Sequence, residues 1–164
     1  RVVMLKNIGL TTNISNLPDD NIQPNAVDLC IDRVWEIGND EFYIGIDKKQ
    51  HRKSTKEIFP DSTGEWLLEE GKKYQFDTSH WVVIPEGFAG WLIPRSTLNR
   101  NGITITSGLY DSGFQNYVGG VMHIGCGNAR VQKGARVAQF IYIEAETEGM
   151  YDGDYQFNIQ PVGH

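Results

Sequence analysis

No stretch of this sequence sustains the 3.6-residue spacing of a long amphipathic helix. Short runs of β-branched and aromatic residues recur throughout instead, each cut off by glycine, proline, asparagine or aspartate. Side chains that branch at Cβ suit the pleated, half-buried surface of a strand, and 18 glycines supply the turns between runs. The pattern predicts an all-β chain with strands over 26–32, 41–46, 73–78, 81–84, 87–93, 118–125 and 135–144. One short helix is expected over 96–101, stopped by Gly102 in the position of a helix C-cap.

At 164 residues the chain is long enough for one domain with a real core and too short to argue for two. A formal charge of −6 provides no general attraction to polymeric nucleic acid or to an anionic membrane surface. Cys30 and Cys126 lack metal-ligand or redox spacing, and no apolar run reaches bilayer length, so a reduced, soluble, cytoplasmic protein is expected. The basic segment 47–62, with Lys48, Lys49, His51, Arg52, Lys53 and Lys56, reads as an exposed loop or hairpin extension whose charges face water, the alternative being a phosphate site.

Chemistry concentrates in three places. The apolar run 88–93 delivers Pro94, whose missing N–H ends strand pairing, and then presents Arg95, Ser96 and Thr97 where a helix begins. Outward N–H groups, a hydroxyl and a guanidinium fork suit phosphate oxygens; an ordinary cap and a surface ion pair would use the same residues. Next, Gly108-Leu109-Tyr110-Asp111-Ser112-Gly113-Phe114 holds a lone carboxylate beside a tight turn and an aromatic ring. Such a carboxylate can deprotonate water and such a ring can lie on a sugar, although Asp-Ser-Gly is also a common turn. Finally, 134–140 opens a strand expected to carry Arg136 and Gln139 on one side, as phosphate donors or as edge polar groups.

Taken in order, these runs resemble the dUTPase and dCTP deaminase superfamily. Pro94 to Leu98 is similar to its second motif, Gly108 to Phe114 to its third and Gly134 to Gln139 to its fourth, while Gln23-Pro24-Asn25-Ala26-Val27-Asp28-Leu29 resembles the deaminase form of the first. The resemblance covers about 22–157 and implies a distorted β jelly roll, usually a homotrimer with active sites at subunit contacts. It implies Asp111 as the base that activates water and Asp28 as the acid that holds Mg²⁺ through water. It further implies Arg95, Ser96, Thr97, Arg100 and Gln139 as phosphate contacts, Gly108 and Tyr110 near the base, and Phe114 against the deoxyribose.

Deaminases of the superfamily need a further Glu in the strand after the third motif, and 112–128 contains no Asp or Glu. His123 could move protons there or be a structural strand histidine. The expected activity is therefore hydrolysis of dUTP, or of a related deoxypyrimidine triphosphate, to dUMP and pyrophosphate. The alternatives are dCTP deamination and a non-catalytic nucleotide-binding module of the same fold. Two departures bear on this: the stretch 115–120 reads as a lengthened hairpin, and the tail 149–164 resembles the deaminase tail and lacks a glycine-rich phosphate-gripping arm.

Overall fold

The computed structural model describes residues 5–6 and 13–155; the last part of the tail, 156–164, lies outside them. Twelve strands and one α-helix are described: β1 (Leu5–Lys6), β2 (Val27–Glu36), β3 (Tyr43–Ile44), β4 (Lys49–Gln50), β5 (Lys56–Ile58), β6 (Glu65–Leu68), β7 (Lys73–Val83), β8 (Phe88–Pro94), α1 (Ser96–Arg100), β9 (Ile103–Thr106), β10 (Gln115–Ile124), β11 (Ala129–Gln132) and β12 (Arg136–Glu144). The expected runs 73–78 and 81–84 are one strand. It alternates buried Tyr74, Phe76, Thr78, His80 and Val82 with side chains on the other face.

The main sheet runs β1-β12-β2-β7-β10-β9, all neighbours antiparallel, with β8 on the other edge of β12 and β5 along β2. It curls until its ends approach: Ser107, just after β9, donates through Oγ to the Leu92 carbonyl of β8, and the Leu92 N–H donates back to Oγ at 3.3 Å. The small β6–β11 sheet adds Trp66 and Leu68 to the interior. Val27, Leu29, Phe76, Val82, Val118, Met122 and Phe140 are fully buried within this near-closed jelly roll. Each such side chain contributes about 1.5–3 kcal/mol by leaving water.

Two irregularities interrupt the regular pairing. Where Arg136 faces Cys30 and Ala138 faces Leu29, β12 advances two residues while β2 advances one, so Val137 is an inserted bulge residue. The stretch 115–120 is not a hairpin but the first half of β10. The extra length lies in β7, which advances four residues, from Trp81 to Asp77, while β10 advances two, from Tyr117 to Gly119. The Thr78 hydroxyl donates to the Val118 carbonyl at 2.8 Å and holds the distortion. His123 sits exposed on β10, paired with Lys73 and Thr104, and lines neither of the two cavities described below. Among the described residues no helix is long and apolar enough to cross a membrane.

Candidate active site

Asp28 is the centre of the first group of candidate residues. Strict alternation would send Arg136 and Gln139, three apart, to opposite faces of β12. The Val137 bulge adds the residue that returns both to the Asp28 side. Asp28 is 1% exposed, with Arg95 Nε at 3.3 Å, Arg136 at 3.4 Å, and the amides of Gln23 and Gln139 at 3.3 and 3.5 Å. The two arginine side chains are 31% and 38% exposed, so each is anchored on Asp28 and remains partly open to solvent. That is the geometry of an anion cradle.

Arg95 occupies the N-cap position of α1 and makes no side-chain cap bond, so Ser96 is not the cap. Ser96 and Thr97 are exposed beside Arg95. Arg100 is exposed on the last turn and makes no ion pair among the described residues. Gly102 follows at φ +76°, the left-handed geometry that ends the helix.

A Mg²⁺ held by protein side chains does not fit this cluster. The Asp28 carboxylate is buried and already faces two guanidiniums and two amides, and no three metal-ligating side chains converge among the described residues. An ion carried in on a triphosphate draws most of its ligands from phosphate and water, and asks little of the protein.

The second group lines a cavity of about 780 Å³ on the outer face of β7 and β10. Gly108, Tyr110 and Phe114 line it together with Ser107, Asp77, Gly119 and Val121. Phe114 is only 5% exposed and packs edge-on against Tyr110 and Tyr151, with ring centres 4.8 and 5.5 Å away. The Tyr110 hydroxyl donates to the Gly119 carbonyl at 2.6 Å and accepts from the Gly119 N–H at 3.1 Å. Burial pushes its pKa up to about 12, so this phenol stays neutral.

The charge run of 47–62 predicts that His51 and Arg52 face water, but both line the cavity, as do Tyr151 and Tyr155 from the tail. The tail is pinned there by the Asn116 amide, which donates to the Tyr155 carbonyl at 2.9 Å, and by Lys49 at 3.1 Å from the Tyr155 hydroxyl. Asp77 lies outside 112–128, the stretch where a deaminase carboxylate is expected, and pairs with Gly119 within it. The strand partner of Gly119 lies far upstream, and its outward place in an alternating strand is the available signal.

Asp111 opens onto a neighbouring cavity of about 450 Å³, walled by Ser112, Thr147, Glu148, Met150, Tyr151 and Asp152. It is exposed, and its carboxylate accepts no hydrogen bond and meets no cation among the described residues. Ser112 beneath it is buried, bonded to the Phe88 carbonyl and to Thr147, and this fixes the turn. An unpaired, accessible carboxylate on a rigid turn is free to polarise water.

Comparison with known proteins gives the family and the fold. The dCTP deaminase-like family model matches residues 4–145. A probable deoxyuridine 5'-triphosphate nucleotidohydrolase of Halobacterium salinarum is 32% identical over 150 residues, which cover 88% of each chain. A dCTP deaminase from Agrobacterium tumefaciens superposes with a TM-score of 0.65 at 17% identity over 88% of this chain, which spans only 49% of the deaminase chain. A dUTPase variant from Staphylococcus bacteriophage 80alpha, solved with dUpNHpp, superposes at 0.54 with 16% identity over 99% of this chain and 94% of that one. The two structures carry the fold, and the sequence match carries the kinship: the chain belongs to the dCTP deaminase-like family, in which dUTP nucleotidohydrolases and dCTP deaminases stand together.

Proposed function

We propose that this chain hydrolyses dUTP, or a closely related deoxypyrimidine triphosphate, to the monophosphate and pyrophosphate. Asp111 carries the reading: a carboxylate left without partners at the lip of a cavity is placed to take a proton from water. The water oxygen bonds to the α-phosphorus, the bond from that phosphorus to the α,β-bridging oxygen breaks, and pyrophosphate leaves with the bridging electrons. Arg95 and Arg136, with the exposed Ser96 and Thr97 hydroxyls and Gln139, meet the charge on the phosphates.

One chain does not bring these parts together. Tyr110 pairs with Gly90 near the start of β8, and Arg95 leaves its far end. At about 3.3 Å per strand residue, Asp111 and Arg95 lie about 20 Å apart along β8. A triphosphate does not bridge that distance, so Asp111 of one copy works on phosphates held by Arg95 of another. A homotrimer with sites at its contacts is the assembly that the family resemblance supplies. Trp91, 45% exposed midway along β8, stands where such a contact would form.

Asp77 supports a second reading, since it places a carboxylate in the cavity where the strand after the third motif has none: deamination of dCTP. Pyrophosphate and ammonia release, measured on dUTP, dCTP and dTTP with and without Mg²⁺, separates the two. The hydrolase reading expects pyrophosphate from dUTP and no ammonia from dCTP. A purified oligomer that releases pyrophosphate from none of the three contradicts it.

A further inference from the structure

Among the described residues, Asp77 is the carboxylate that lines the larger cavity, and the hydrolysis does not use it. It sits on β7 opposite Gly119 on one side and Arg33 on the other. Arg33 does not neutralise it by direct contact, because that guanidinium is engaged by both carboxylate oxygens of Glu57 at 2.9 and 3.0 Å. No hydrogen bond reaches the Asp77 carboxylate among the described residues, and no sealed side-chain polar atom there lacks a partner. The Asp77 oxygens are therefore reached from the cavity. Gly119, which lines the cavity beside Asp77, cannot be replaced by a residue with a side chain, because a Cβ there would come within 1.9 Å of the Phe76 carbonyl oxygen.

A carboxylate so placed is costly to the fold, and no packing role repays it. Desolvation pushes its pKa up to about 7, against the pull of Arg33 and with help from Asp32 and Glu57. The other charged or titratable groups around the cavity are His51 and Arg52 from the segment before β5, and Tyr110, Tyr117, Tyr151 and Tyr155. Near neutral pH the acid form is well populated, and a neutral carboxyl group offers one donor and one acceptor side by side.

We infer that Asp77 reads the Watson–Crick edge of the pyrimidine in this cavity, its acid form donating to one ring-edge acceptor and accepting from the adjacent N–H. For uracil the donor meets O4 and the acceptor meets N3–H; for cytosine the proton is directed to N3 and the acceptor meets the N4 amine. The ionised form has only acceptors, so it opposes O4 of uracil and N3 of cytosine. The inference rests on the cavity taking a deoxypyrimidine nucleotide.

The test is the pH dependence of KM, compared in wild type, Asp77→Asn and Asp77→Ala, each as the intact oligomer. The wild-type KM for dUTP should rise about tenfold between pH 6 and pH 8.5 while kcat moves less, since ionisation removes one edge hydrogen bond and opposes another. Asp77→Asn keeps one donor and one acceptor at every pH, so its KM should stay low and lose that rise. Asp77→Ala should have a raised KM throughout. Binding of dUMP by calorimetry at pH 6 and pH 8.5 supplies an arm independent of turnover. If no triphosphate is turned over but dUMP binding weakens with pH in wild type and not in Asp77→Asn, the hydrolase reading fails and this inference stands. If dUTP is hydrolysed and the wild-type KM is flat, or Asp77→Asn keeps the wild-type pH profile, the inference is overturned and the hydrolase reading stands. Ammonia release from dCTP that disappears in Asp77→Asn also overturns it, because Asp77 would then be moving protons in chemistry.

Discussion

Asp28 and Asp77 occupy adjacent strands of one sheet, yet the chain surrounds them differently. Asp28 is buried among two guanidiniums and two amides, and its effect is to aim Arg95 and Arg136 outward. Asp77, like Asp111, is left without a hydrogen bond among the described residues and opens onto a cavity. Satisfying a buried carboxylate makes it scaffolding, because its lone pairs are spent on protein donors. Leaving one unsatisfied costs stability and keeps it available to a ligand. On the proposed reading, the phosphate end of the site is built for fixed charge, and the water and base end for groups that exchange protons.

The largest effect that would sharpen this contrast is at Asp111. Asp111→Asn should keep nucleotide binding and lower kcat by about 10²–10⁴-fold, read by pyrophosphate release beside a dUMP titration. Retained turnover would remove Asp111 from the chemistry. At Asp28 the main loss should be structural: Asp28→Asn leaves two guanidiniums unanchored and should cost about 2–3 kcal/mol in urea unfolding, discounted for the partial exposure of the arginines. An unchanged unfolding midpoint would mean that the buried cluster is not interlocked.

Asp77 should behave in the opposite sense. Its folded pKa, about 7, lies above the ordinary carboxylate value of 3.8, so its stabilisation is complete below about pH 4 and is lost as pH rises through 7. Asp77→Asn should therefore melt several degrees above wild type at pH 8 and close to it at pH 4.5, a difference on the order of 2–4 kcal/mol at the higher pH. Equal gaps at both pH values would show that the carboxyl group is not held protonated. The smallest effect is expected at Ser96. It makes no cap bond, so Ser96→Ala should change thermal stability by less than about 0.5 kcal/mol while raising KM for the triphosphate.

Local chemistry makes much of this visible from sequence. Alternation locates β2, β7, β8, β10 and β12, Pro94 and Gly102 bound α1, and the ordered motifs name Arg95, Asp111 and Gln139 as the candidates on which the proposed function rests. The hidden features depend on pairing between distant segments. The bulge at Val137 that lets Arg136 and Gln139 share a side appears only when β12 is laid against β2. The same holds for Asp77: in sequence it is one polar residue of an alternating strand, and only the register with Gly119 puts it in the cavity. His51 and Arg52 look like a solvated charge run until the fold carries their segment across that cavity. The strands 56–58, 65–68 and 129–132 are hidden too, being too short for a periodic signal.

The claim that the two ends of the site meet only between copies is tested most directly by mixing two inactive variants. Asp111→Asn retains an intact phosphate cradle, and Arg95→Ala retains an intact base. Unfolded together in equal amounts and refolded as mixed oligomers, they should regain about a quarter of wild-type pyrophosphate release, since random assembly joins two intact halves at about one site in four. Each variant refolded alone should stay inactive. Mixed oligomers that form and remain inactive would contradict the account and place Asp111 and Arg95 in the same site of a single chain.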